Sequence, residues 1–96
     1  METMNPPLQE RIREAARMLV SYGAREVHLF GSCARGTMDE GSDVDLAVSG
    51  LPEEVFYRAV GMALHILGRP VDLVDLDERN PFTESLKTEE ELVRVA

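Results

Sequence analysis

Val27-His28-Leu29-Phe30-Gly31-Ser32, then ten residues, then Asp43-Val44-Asp45-Leu46-Ala47-Val48, is the stretch from which the rest of the chain can be read. Its first part is a short apolar run ending on glycine and serine, the pattern of a buried strand that enters a turn. Its second part begins with carboxylates alternating with aliphatic side chains. Residues two apart in a strand point to the same side, so Asp43 and Asp45 share one face while Val44, Leu46 and Val48 face a core. The segment between them, Cys33 to Ser42, is rich in glycine and acid and opens with enough sequence for one helical turn. It is compatible with an antiparallel, hairpin-like pair.

On the N-terminal side, Leu8, Ile12, Ala15, Ala16, Leu19 and Val20 recur at three- and four-residue steps. They predict an amphipathic helix with Asn5 as its N-cap, Pro6 at its first position and Gly23 just past its end. The opposite face, with Arg11, Arg13, Glu14 and Arg17, reads as solvated surface. On the C-terminal side, Pro52-Glu53-Glu54 opens a second helix with acids in its first turn, where the helix dipole favours them. Its apolar stripe is Val55, Phe56, Ala59, Val60, Ala63, Leu64 and Leu67, and Gly68 closes it. Val71 to Leu76 predicts a third strand. Asn80-Pro81-Phe82 restarts a short helix to about Thr88, and Leu92-Val93-Arg94-Val95 reads as a last short strand. A helix between the second and third strands allows a crossover and parallel pairing. The expectation is one α+β domain over residues 1–96, a two-layer fold whose small mixed sheet has helices packed on one face.

The 96 residues, 44% apolar and 29% charged, suit a globular domain with a modest core. No apolar run approaches the roughly 18 residues that a membrane span needs. The N-terminus, Met1 to Pro7, lacks the basic region and apolar core of a secretory signal. The single cysteine, Cys33, can form neither an internal disulfide nor a cysteine-rich zinc site, and a reducing cytoplasm is the expected location. Ten Lys and Arg against 18 Asp and Glu leave a net charge of −8. That balance argues against unaided binding of duplex nucleic acid and favours divalent cations or a basic protein partner.

Asp43 and Asp45 repel one another unless a cation neutralises them. A hard divalent ion with oxygen ligands is the natural partner, and Mg²⁺ commonly takes one or two carboxylates together with phosphate oxygens. Gly31 and Ser32 supply the complementary half. A glycine-bearing turn after a strand aims backbone N–H groups outward, where they can hold phosphate, and the Ser32 hydroxyl can donate as well. Arg35, three residues further, can reach the same phosphates as a fork of donors. A third carboxylate is expected from the third strand. Asp72 is level with Asp43 and Asp45 if the strands run parallel; Asp75, on the opposite face, is the alternative. An EF-hand is excluded, because the third acid, the following glycine and the distal glutamate are all missing. His28, inside an apolar strand, reads as a hydrogen-bonded structural residue, His65 as a surface residue and Cys33 as inert.

Gly31-Ser32-Cys33-Ala34-Arg35-Gly36, Ser42-Asp43-Val44-Asp45-Leu46 and Val71-Asp72-Leu73-Val74-Asp75-Leu76 together resemble the minimal nucleotidyltransferases of the DNA polymerase β superfamily. The resemblance runs from Val27 to Leu76 and is carried by the paired Gly-Ser and Asp-x-Asp motifs. It implies a polymerase-β-like fold and Mg²⁺-dependent transfer of a nucleoside monophosphate, commonly AMP from ATP, to an acceptor hydroxyl. In that scheme Asp43, Asp45 and Asp72 are catalytic and hold two Mg²⁺ ions, and Gly31, Ser32 and Arg35 hold the triphosphate. It also implies a HEPN-domain partner, a toxin that such antitoxins adenylylate on tyrosine, and it leaves room for a homodimer. Two other readings compete: an antitoxin that neutralises its partner by binding alone, and a module that senses nucleotide without turnover.

Overall fold

The computed structural model describes residues 7–31, 34, 43–88 and 92–96. Helix α1 (Leu8–Ser21) is followed by strands β1 (Glu26–Leu29) and β2 (Val44–Ser49), helix α2 (Glu53–Leu67), strand β3 (Val71–Asp75), helix α3 (Pro81–Thr88) and strand β4 (Val93–Arg94). The strands form one mixed sheet in the order β3-β2-β1-β4. β1 pairs antiparallel with both β2 and β4, whereas β2 and β3, joined through α2, run parallel.

Each boundary has a local cause. α1 starts at Leu8 with Pro7 as its N-cap, two residues later than the Asn5 cap expected; Asn5 and Pro6 lie outside the described residues. A residue followed by proline is disfavoured in helical conformation, which moves the start past the Pro6-Pro7 pair. At its other end the Gly23 N–H donates to the Val20 carbonyl and the Ala24 N–H to the Leu19 carbonyl, with Gly23 at φ +120°. These are the two bonds of a Schellman stop, and the buried Ala24 supplies the apolar contact that accompanies it. α2 ends on Gly68 in left-handed conformation. There Arg11 Nη1 of α1 donates to the Leu67 carbonyl (3.4 Å), satisfying one of the acceptors a helix end leaves open.

The main core lies between the sheet and the α1–α2 pair. It gathers Ile12, Ala15, Ala16 and Leu19 of α1, Val27 of β1, Val44, Leu46 and Val48 of β2, and Ala59, Ala63 and Leu67 of α2. Alternation in β2 therefore works as the sequence implied. α1 and α2 back one face of the sheet, as expected, and Leu86 of the short α3 packs with Phe30, Ala47 and Leu76 in a smaller cluster on the opposite face. Phe82 of α3 meets Phe30 edge-on, with ring centroids 6.4 Å apart. The buried Thr83 hydroxyl and the Asn80 side chain fix the start of α3, Asn80 Oδ1 accepting from the Thr83 N–H at 2.9 Å. Leu64 departs from the expected stripe. It is 49% exposed, because it stands on the Tyr57 side of α2 and outside the buried stripe.

The C-terminal end of the β2–β3 pair is tied by short hydrogen bonds. The Leu76 N–H donates to the Val48 carbonyl (2.7 Å), the Arg25 N–H to the Ser49 carbonyl (2.7 Å), and the Gly50 N–H to Asp77 Oδ2 (2.6 Å). Among the described residues no helix is long and apolar enough to cross a membrane.

Candidate active site

The parallel register sets Asp45 of β2 directly opposite Asp72 of β3. Neighbouring strands lie about 4.8 Å apart, so the two side chains leave the same face of the sheet as neighbours. Asp43 precedes β2 by one residue and is exposed. Asp75 falls opposite Val48, in the alternation that places Val71 and Leu73 on the main core. Its Oδ1 accepts from the Asp77 N–H (2.9 Å), which is a turn-capping role. Of the two candidates for the third carboxylate, Asp72 is the one brought beside Asp45.

Gly31 closes the site from β1. The Phe30 N–H donates to the Asp45 carbonyl (3.1 Å), so the residue after Phe30 arrives alongside Asp45. Gly31 has φ +65°, a conformation that side chains strongly disfavour, and a Cβ built there would run into Asp45 Oδ2. Glycine is thus required twice, for backbone conformation and for room beside the carboxylate. The Ala34 N–H reaches back to the Phe30 carbonyl (3.5 Å), the contact of one helical turn after the strand. Ser32 and Arg35, the other expected phosphate ligands, lie outside the described residues.

Among the described residues no three His, Cys, Asp or Glu side chains gather into a group that could hold a metal ion. The carboxylates share a strand end and a face without forming a three-ligand cage. Their chemistry still fits magnesium, which takes one or two carboxylate oxygens and fills its shell with water and substrate phosphate. Asp43, Asp45 and Asp72 are the residues that would hold it.

His28, opposite Ala47 on the carboxylate face, is a structural residue as expected. Its side chain is 13% exposed, and Nε2 lies 2.9 Å from Glu26 Oε1. A carboxylate only accepts, so Nε2 carries the hydrogen. That bond first, and then the Arg94 guanidinium (Nη1 to Glu26 Oε2, 3.8 Å), hold the Glu26 carboxyl below its ordinary value near 4.5. The Arg94–Glu26 contact ties β4 to β1. Sequence reasoning also missed a concavity of about 340 Å³ at the far end of β3, between the start of α2 and α3. It is lined by Phe56, Tyr57, Leu73 and Phe82, and neither Asp45 nor Asp72 is part of its wall. The exposed aromatics Tyr57 and Phe82 were its signal.

Comparison with known proteins places this geometry in a class. The family model of the nucleotidyltransferase domain matches residues 10–95. A solved structure described as a minimal nucleotidyltransferase is similar over 93% of this chain and 98% of its own, at 29% identity and a TM-score of 0.71. A toxin–antitoxin crystal structure with AMP-PNP is similar over 88% of this chain and 70% of its own, at 25% identity and a TM-score of 0.65. The toxin–antitoxin MntA-HepT, at 19% identity and a TM-score of 0.61 over 93% of this chain and 69% of its own, shares the fold. No curated protein matches the chain. The chain belongs to the nucleotidyltransferase domain family. It is a nucleotidyltransferase with the fold of the minimal members.

Proposed function

We propose that this nucleotidyltransferase moves AMP from ATP to a hydroxyl, that the hydroxyl is a tyrosine of a HEPN-type toxin, and that the transfer makes the chain an antitoxin. The observation that carries the chemistry is the Asp45–Asp72 register beside the left-handed Gly31. The similarity to a toxin–antitoxin structure with AMP-PNP supports both the nucleotide and the kind of partner.

In this reading Gly31, Ser32 and Arg35 hold the β- and γ-phosphates, which leave as pyrophosphate. Asp43, just before β2, and Asp45, within it, would hold the cations against which the α-phosphate is set for in-line attack. Asp72, on the neighbouring strand, accepts the proton of the attacking hydroxyl. The bond formed joins the acceptor oxygen to the α-phosphorus, and the bond broken is the one to the bridging oxygen of the leaving pyrophosphate. Two Mg²⁺ ions held by Asp43, Asp45 and Asp72 would neutralise charge on the attacking and leaving oxygens. Positioning and electrostatics account for most of the rate, as in other phosphoryl transfers.

The test is incubation with α-labelled ATP, Mg²⁺ and the product of the adjoining gene. Label on a partner tyrosine, lost with Asp45→Asn, is the expected result. A tight complex that never takes label would overturn transfer in favour of neutralisation by binding. Retention of intact ATP, with neither label nor complex, would point to a nucleotide sensor.

A further inference from the structure

Phe82, in the first turn of α3, is 53% exposed but firmly held. Asn80 Oδ1 accepts from the Thr83 N–H (2.9 Å), and the buried Thr83 hydroxyl accepts from the Asn80 N–H (3.2 Å). These reciprocal bonds clamp the turn that carries Phe82. Its ring meets the buried Phe30 edge-on, at 70° with centroids 6.4 Å apart. Phe30 is also the residue whose N–H donates to the Asp45 carbonyl and whose chain leads into Gly31. An exposed aromatic ring therefore stands on the carboxylate face, braced against the strand that carries Gly31. The concavity of about 340 Å³ opens beside it. Val74 is in the wall of that concavity, and it follows Asp72 by two residues of β3, on the same face and about 6.7 Å further along the strand. The wall thus begins one side chain beyond the carboxylate row. Its volume falls in the range of roughly 300–1,000 Å³ in which small ligands are held. Phe56, Val74 and Phe82 give it apolar surface, and Glu53, Asp75 and Glu78 give it carboxylates. Among the described residues it has no Lys, Arg or His. That lining repels phosphate. It suits a flat, uncharged ring bearing hydrogen-bond donors, because a carboxylate only accepts.

We infer that Phe82 is the stacking platform for the nucleobase, and that the concavity beside it selects a base carrying an exocyclic amino group. The inference rests on the ATP-dependent reading above and adds to it where the base lies. The β- and γ-phosphates sit at Gly31, the α-phosphate at the Asp45–Asp72 row, and the ribose spans the step from that row to Val74. The base then stacks on Phe82 and turns its amino group to the acids of the wall. Charge fixes this direction, since the triphosphate is excluded from a wall of carboxylates. Asp72, exposed on the edge strand, stays open to the acceptor hydroxyl.

The test measures binding of AMP-PNP and of tripolyphosphate, each with Mg²⁺, to the full chain by calorimetry. Phe82→Ala should weaken AMP-PNP at least about fivefold. Tripolyphosphate, which has no base, should stay within twofold, whereas a general loss of structure would weaken both. The chain contains no tryptophan, so Phe82→Trp keeps an aromatic ring and adds a single fluorophore. Its emission should be quenched by AMP-PNP and not by tripolyphosphate, and this variant serves if Phe82→Ala folds poorly. In competition with AMP-PNP, ATP should bind at least about tenfold more tightly than inosine triphosphate, in which a carbonyl oxygen replaces the amino group. Quenching that is absent, or equal with both ligands, would overturn the platform. If Phe82→Ala leaves AMP-PNP affinity unchanged and raises only the KM for the acceptor, the concavity belongs to the acceptor; the inference is then wrong while nucleotidyl transfer stands. If the wild-type chain binds neither ligand, the ATP-dependent reading fails and takes the base site with it.

Discussion

β2 and β3 each deliver one aspartate to the same place, yet the two strands are built differently. β2 is central, with partners on both sides, and Val44, Leu46, Ala47 and Val48 are all fully buried. β3 is an edge strand whose side chains are at most partly covered, and Asp72 is exposed where Asp45 is half-buried. A carboxylate on a clamped strand suits a fixed electrostatic role. One on an open edge, reachable from outside, suits contact with an incoming acceptor. The difference teaches that register alone does not make two matched residues equivalent; on the proposed function, the anchoring of each strand sorts their tasks.

Substitutions can break that contrast. The largest effect is expected for Asp45→Asn, with label transfer falling at least about 10³-fold while the fold is kept, checked by turnover and circular dichroism. Asp72→Asn should lose about 10²-fold, within the range of a positioned acid or base, and should change the pH–rate profile. Equal losses, or a larger one at Asp72, would reverse the assignment. In stability the same asymmetry should return. Leu46→Ala should cost about 3–4 kcal/mol in denaturant unfolding, and Leu73→Ala, on the edge, about 1–2. Gly31→Ala should cost about 2 kcal/mol and also lower transfer, because it strains the backbone and displaces Asp45. The smallest effect concerns β1. Glu26 titrates below its ordinary value when folded, so its contribution is present above about pH 4.5 and is lost as pH falls through the lowered value. Acid titration of unfolding should show this loss, and Glu26→Gln should remove it.

Much of this was legible in the chain. Three- and four-residue spacing gave α1 and α2, alternation gave β2, and Gly23 and Gly68 marked helix ends because their backbones take positive φ. The parallel β2–β3 pairing followed from the intervening helix, and the choice of Asp72 over Asp75 followed from that pairing. What stayed hidden was non-local. The apolar positions of α3 say that it must bury something, not which face of the sheet it covers. Leu64 looked like core because the stripe on α2 was read one column too wide. The Ser32 and Arg35 expectations fall outside the described residues and still rest on the motif.

The short bonds from Leu76 to Val48, Arg25 to Ser49 and Gly50 to Asp77 sew the sheet shut at the end opposite Gly31. Amides near Val48 are then expected to be among the last to exchange their hydrogens. On the proposed function, nucleotide and acceptor arrive at the other end, away from the seam that keeps the strands aligned.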